Sequence, residues 1–218
     1  MATIKIDGHD ITAEYKAHVS KLEGLQALPV RPLRRTTWEG VHGAQIHRQA
    51  RRFDSRNITL ELTFRAESSD ARTRAASLRA LLYPTGRPLR LELYNANGEA
   101  EGVYDVDTES ETLTDIIYEE MLTTQIVFVE AEPIKNIYVK NIYARPGINA
   151  TAQFTITTPE VLTISWGDGS YSEDIGTGTY EHTYTDGKDR HFIIVSGNFE
   201  NVTITPTTGT TLYKTIRQ

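Results

Sequence analysis

From Asn57 to Arg65 the chain alternates without a break: Ile58, Leu60, Leu62 and Phe64 fall on one side, and Thr59, Glu61, Thr63 and Arg65 on the other. Successive side chains of a pleated strand point to opposite faces, so this period of two reads as a half-buried β-strand. The same period recurs where Leu89, Leu91 and Leu93 alternate with Arg90, Glu92 and Tyr94, and again in Leu122 to Glu130, where both faces are largely apolar or threonine. Asn95-Ala-Asn-Gly98 has the turn residues that let the second run fold back towards Val103 to Asp107 as a hairpin. A single helix is expected among these strands, from about Ser69 to Tyr83. Ser68 or Ser69 caps it, Asp70 favours its first turn, Ala71, Ala75, Leu78 and Leu82 form one face, and Pro84 and Gly86 stop it. Arg72, Arg74 and Arg79 lie off that stripe. The segment Leu28 to Arg56, rich in Arg, Pro, Gly and His, reads as a strand or two joined by long loops, with Trp38 as a core or interface anchor.

Charge changes sign inside this strand-rich region. Arg31 to Arg90 holds thirteen arginines, no lysine and five acids, and Leu91 to Glu132 holds twelve acids and no basic residue. Such blocks are usually solvated surface. Arginine in place of lysine, however, favours bidentate pairing and partial burial at interfaces. A domain with one basic and one acidic face suits head-to-tail contacts that close into rings or run into filaments. The residues read as intersubunit contacts are Arg34, Arg35, Arg51, Arg52 and Arg72, against Asp105, Asp107, Glu109 and Glu111. Exposed pairs of this kind contribute a few tenths to about 1 kcal/mol each, so an assembly needs apolar burial as well.

Glu132-Pro133 closes the first unit. Ile134 to Tyr143 reads as a linking strand, and after Pro146-Gly147 the composition shifts to Thr, Gly, Tyr and Ile. Short β-rich segments at Ala152 to Thr157, Val161 to Trp166, Thr179 to Tyr184, His191 to Ser196 and Asn201 to Thr205 read as a small antiparallel sandwich. The tail from Thr205 to Gln218 is either a last edge strand or a disordered end. The 218 residues are therefore expected as two mainly β domains, 1–132 and 133–218.

Composition excludes several chemistries. With no cysteine there is no disulfide, thiolate metal site or cysteine nucleophile. Net charge of −6 argues against a nucleic-acid binder as a whole. No run approaches a membrane span, and Met1 to Gly8 lacks the basic and apolar regions of a signal peptide, so the chain reads as made in the cytoplasm without one. The six histidines (His9, His18, His42, His47, His182 and His191) form no metal-binding helix motif, and ordinary polar or half-buried roles explain them better. No nucleophile elbow or phosphate loop occurs; Gly176-Thr-Gly178 lacks the helix that such a loop requires. Asp168 to Asp174 offers alternate oxygens for calcium, but it lacks the central glycine and terminal glutamate of an EF-hand, and a tight turn is the stronger reading. Paired carboxylates for glycoside hydrolysis are available between Glu99 and Glu120, although clusters of this kind are usually solvated. Tyr171, Tyr180 and Tyr184 suit sugar stacking or, more commonly, a strand core. No catalytic residue, cofactor or metal is assigned.

Two resemblances follow. Asp7-Gly8, Trp38-Glu-Gly40, Phe53 to Leu62, the helix ending in Leu81-Leu-Tyr-Pro-Thr-Gly86, and Leu89 to Tyr94 together resemble the N-terminal domain of distal tail proteins of long-tailed phages. That resemblance, over about residues 1–132, implies a β-sandwich with one flanking helix. It also implies assembly as a homo-oligomeric ring, commonly a hexamer, between the tail tube and the tail tip or baseplate. Ile164-Ser-Trp-Gly-Asp-Gly169, Tyr180-Glu-His-Thr-Tyr184 and Phe192 to Val195 resemble PKD-like, immunoglobulin-type domains. This second likeness implies a non-catalytic spacer or binding module, with Trp166 and Tyr184 in its core. The expectation is a virion structural protein whose first domain forms a ring and whose second projects outward as an immunoglobulin-like appendage, and a host surface glycan is one partner that the appendage could meet. The alternative is a monomeric carbohydrate-binding or adhesive surface module.

Overall fold

The computed structural model describes residues 3–26, 28–32, 35–37, 39, 42, 45–46, 53–65, 71–116, 121–142, 150–207 and 209–216. The first unit runs β1 (Thr3–Ile6), β2 (His9–Asp10), α1 (Ile11–Tyr15), β3 (Ala17–Glu23), β4 (Arg35–Thr36), β5 (Gln45–Ile46), β6 (Arg56–Arg65), α2 (Ala71–Leu81), β7 (Leu89–Tyr94), β8 (Ala100–Ile116) and β9 (Met121–Glu130). The second runs β10 (Lys135–Asn141), β11 (Thr151–Thr157), β12 (Leu162–Ser165), β13 (Tyr171–Ile175), β14 (Gly178–Thr183), β15 (Arg190–Gly197), β16 (Thr203–Pro206) and β17 (Thr210–Ile216). The protein is thus mainly β, as the alternation predicts, and the described residues hold two helices where the sequence pattern predicts one.

Seven strands of the first unit form one antiparallel sheet in the order β2-β1-β7-β8-β9-β6-β3. β8 holds it together: its first part pairs with β7, and from Asp107 onward it pairs with β9, with a register irregularity between Thr108 and Ser110. Both halves of the sheet feed one core. Ile58, Leu60, Leu62 and Phe64 lie beside Ile126 and Phe128 in the second half, and Ile4, Ile6, Leu91 and Tyr104 join them from the first. The helices cover this face with Ile11, Ala71 and Leu78, joined by Leu82 just past the end of α2, and Ala75 packs at the margin. The Asn95 turn is built as expected, with Asn95 Oδ1 accepting the N–H groups of Asn97 and Glu99 at 2.9 and 3.0 Å.

The sequence did not signal α1. Asp10 caps it, Oδ1 accepting from Thr12 and Ala13 N–H at 3.0 and 2.9 Å, but five residues are too few for a periodic stripe. Ser68, Ser69 and Trp38 lie outside the described residues.

The second unit has a five-stranded sheet, β13-β12-β15-β10-β17, facing a three-stranded sheet, β14-β11-β16. Phe154, Ile164, Trp166, Tyr184, Ile193 and Val195 fill the space between them. Two expectations need correction. Ile134 to Tyr143 is no mere link, because β10 is a central strand flanked by β15 and β17. Likewise Tyr171–Ile175 is strand β13, paired with β12, so the stretch from Asp168 to Asp174 is not a single loop. The tail is an edge strand over Thr210–Ile216.

The outer face of the five-stranded sheet docks on the first unit. Ile137, Phe192 and Ile194 pack with Ala100 and Val103 of β8, flanked by Tyr94, Val139 and Ile216. Tyr213 on β17 adds an O–H donated to the Ala100 carbonyl. Strand β7 and the first part of β8 are therefore covered on both faces, by the helix-side core and by the second unit.

Phe64 is fully buried in the first core. Phe64→Ala should therefore lower unfolding free energy by about 3–5 kcal/mol, read from the midpoint of chemical denaturation. A loss below about 1 kcal/mol would show that this core is not packed as described.

Candidate functional site: a charged joint between two β units

At the joint, Arg90 and Asp105 occupy positions that alternation places on the side of the sheet away from the helices, between the core residues Leu89 and Leu91 and between Tyr104 and Val106. Asp7 and Gly8 form the turn between β1 and β2, both at positive φ (51° and 86°), a geometry that glycine adopts without strain and aspartate tolerates. Facing inward from this turn, the Asp7 carboxylate accepts the Arg90 backbone N–H at 2.8 Å and an Arg87 guanidinium N–H at 2.6 Å. The hydrogen bond to Asp7 raises the Arg87 pKa.

Arg90 sits opposite Asp105 in the β7–β8 register and donates from Nε to Oδ1 at 2.6 Å. Its other nitrogens cross to the second unit: Nη1 donates to the Phe192 carbonyl on β15 at 2.6 Å, and Nη2 to Ser165 Oγ on β12 at 2.7 Å. One guanidinium, 7 % exposed, thus ties four strands from both units.

A second cluster lies where β9 turns into β10. Arg56 faces Glu130 in the β6–β9 register; its Nε donates to Oε2 at 2.8 Å and Nη2 donates to the same oxygen. Lys135 donates to Glu130 Oε1 and, at 2.6 Å, to the Val103 carbonyl. The Tyr104 ring lies under both cations, 4.9 Å from the Arg56 guanidinium carbon and 4.4 Å from Lys135 Nζ. Arg56, Glu130 and Lys135 are all 2 % exposed or less. Burial pushes the Lys135 pKa down, and the Glu130 carboxylate opposes that shift.

Beside these clusters opens a cleft of about 460 Å³ between the units, walled by Asp105, Asp107 and Glu132 on one side and Thr163, Glu173 and Ser196 on the other. Ser196 Oγ donates to Glu132 across it.

This arrangement revises the charge argument. The basic and acidic halves of the sequence are brought into register within one chain: Arg90 meets Asp105, Arg56 meets Glu130, and Arg79 meets Glu111 with Nε 2.8 Å from Oε2. Asp105 and Glu111 are thereby held inside the molecule. Asp107 and Glu109 are exposed on β8, and Arg72 is exposed on α2. Arg35 lies on β4, while Arg34, Arg51, Arg52 and His47 fall outside the described residues.

Other candidate chemistry meets a similar fate. Asp168, Ser170 and His182 converge in the second unit, but His182 Nε2 faces both Asp168 Oδ2 (2.6 Å) and Ser170 Oγ (3.4 Å). A relay needs the acid and the nucleophile on opposite ring nitrogens, so this is a turn clamp rather than a triad. Burial pushes the Asp168 pKa up, but the hydrogen bonds from Ser170 and His182 outweigh it, so the carboxyl stays below its ordinary value. Trp166 stacks on His182, and Tyr184 donates to the Trp166 carbonyl at 2.7 Å, which makes both aromatic residues core. Tyr171 donates to the Gly86 carbonyl and Tyr180 to the Gly176 carbonyl. Among the described residues no three His, Asp or Glu side chains are grouped to hold a metal ion, and no helix is long and apolar enough to cross a membrane.

No protein-family model matches the chain, and no curated sequence matches it. The fold is similar to the crystal structure of the phage SPP1 Dit (gp 19.1) protein, described as a paradigm of hub adsorption apparatus in phages that infect Gram-positive bacteria. The likeness has a TM-score of 0.51 at 13 % identity and covers 90 % of this chain and 98 % of that one. It therefore spans both units and shows a shared fold.

Glu130→Gln would leave two buried cations short of a counter-charge and should cost about 3–5 kcal/mol of stability. The exposed Asp107→Asn should stay within about 0.5 kcal/mol of the parent. Equal denaturation midpoints for parent and Glu130→Gln would remove the buried cluster from the account.

Proposed function

We propose that this protein is a non-catalytic structural component of a phage or prophage tail, a distal tail or baseplate hub protein residing in the virion. The observation that carries the reading is the fold shared with a phage hub protein over nearly the full length of both chains. In this reading residues 1–132 form the ring-making domain, commonly six copies, between the tail tube and the tail-tip proteins. Residues 133–218 form a PKD-like, immunoglobulin-type sandwich carried on the ring. The buried Trp166 and Tyr184 agree with the core positions of that pattern.

The contacts between copies are proposed to use Arg34, Arg35, Arg51, Arg52 and Arg72 against Asp107 and Glu109, the acids that point outward. Asp105 and Glu111 drop out, because their charges are already answered by Arg90 and Arg79. The three tyrosines considered for sugar stacking each make an internal hydrogen bond, which weighs against the glycan-binding alternative.

Light scattering over a range of protein and salt concentrations tests the reading. The expected result is an oligomer of about six copies that dissociates as salt screens exposed pairs. Reversing Arg51 and Arg52 to glutamate should lower the assembled mass and leave the monomer folded. A strictly monomeric parent at every concentration would contradict self-assembly of the isolated chain.

A further inference from the structure

His191 is a buried titratable group that the joint does not use. Its side chain on β15 is fully buried, stacked on the Tyr184 ring with centroids 3.8 Å apart and planes at 11°. Neither ring nitrogen makes a hydrogen bond of good geometry among the described residues. Charged groups face it from several elements. Lys140 on β10 is its direct cross-strand partner and is itself 3 % exposed; beyond Lys140 lies Thr210 of β17. From the turn after β14 comes Asp186, with Oδ1 3.1 Å from His191 Nε2 and Oδ2 3.7 Å from Lys188 Nζ. From the turn after β12 comes Asp168, already engaged by His182 and Ser170. On β15 itself, Arg190 precedes the ring and donates to Asn141.

Burial, joined by the charge of Lys188, disfavours the imidazolium more than Asp186, Asp168 and the Gly167 backbone favour it, so the ring's pKa lies below its ordinary 6.5 and the ring is neutral near pH 7. A proton would add a second cation opposite Lys140, at the roughly 5 Å Cβ spacing of a cross-strand pair, where like charges destabilise a sheet. The nearest carboxylate, Asp186, is shared with Lys188. The next residue along β15 is Phe192, whose carbonyl seats Arg90 and lies against Gly167.

We propose that His191 acts as a proton-operated release in the second unit: protonating it separates the β14–β15 turn and the Tyr184 stack from Lys140, and the loosened strand weakens the seat of Arg90 on Phe192. A group that binds protons less readily when folded withholds stability as the medium acidifies. The stability is fully present above pH 6.5 and is lost as pH falls from 6.5 through the folded value.

Amide hydrogen exchange on the full chain, over segment 184–197 and corrected for intrinsic rates, compares pH 7.5 with pH 5.0. Protection should fall on the order of tenfold per pH unit by which folding lowers the pKa, whereas His191→Phe, which keeps a ring on Tyr184 without a titrating nitrogen, should lose less than about twofold. Equal losses in both proteins would overturn the proposal. If His191→Phe does not fold, the His191 ring resonance of the parent decides: a titration midpoint below 6.5 supports the proposal, and one at or above 6.5 overturns it.

Discussion

A guanidinium buried between two sheets is tolerable only if its N–H groups find oxygens, since a buried charge left without partners costs several kcal/mol. Arg90 meets that condition only when β7, β8, β12 and β15 stand where they do. The requirement fixes more than one residue. It sets Asp105 opposite Arg90, needs the Asp7 turn to hold the backbone of Arg90, and needs the Phe192 carbonyl turned towards the first unit.

Magnitudes separate the tasks at this joint. Burying Val103, Ile137, Phe192 and Ile194 contributes about 1.5–3 kcal/mol for each side chain, so apolar contact supplies most of the docking free energy. Buried ion pairs add little net stability, because desolvation offsets much of their attraction. Their effect is on geometry: a shifted register would strand Arg90, Arg56 or Lys135 without acceptors. Apolar burial thus holds the units together, and the charged groups choose the single arrangement in which they meet. For a protein proposed to sit in a tail, a fixed second unit presents the same surface on every copy of a ring.

The strands with one face on the core were legible in the sequence, because Ile58, Leu60, Leu62 and Phe64 write the period directly, and the α2 stripe was legible for the same reason. The joint was not. Arg90, Lys135 and Lys140 look like solvent-facing residues in a sequence, yet each is buried by partners that folding brings together, as when Arg90 meets Phe192 across 102 positions. Strand β10, covered on both faces, loses the alternation that marks a half-exposed strand, so Ile134 to Tyr143 read as a link. The charge blocks were visible, but their meaning was not: an antiparallel register can place the arginines of one half against the acids of the other, and no count of charges shows which partner is chosen. The aromatic positions of the second unit were more transparent, with Trp166 and Tyr184 buried as their motif implies.

The central claim is that the joint makes two sandwiched units a single cooperative body. Differential scanning calorimetry of the full chain at neutral pH tests it most directly. The account predicts one transition whose calorimetric and van't Hoff enthalpies agree. Two resolved transitions, one for each unit, would contradict it.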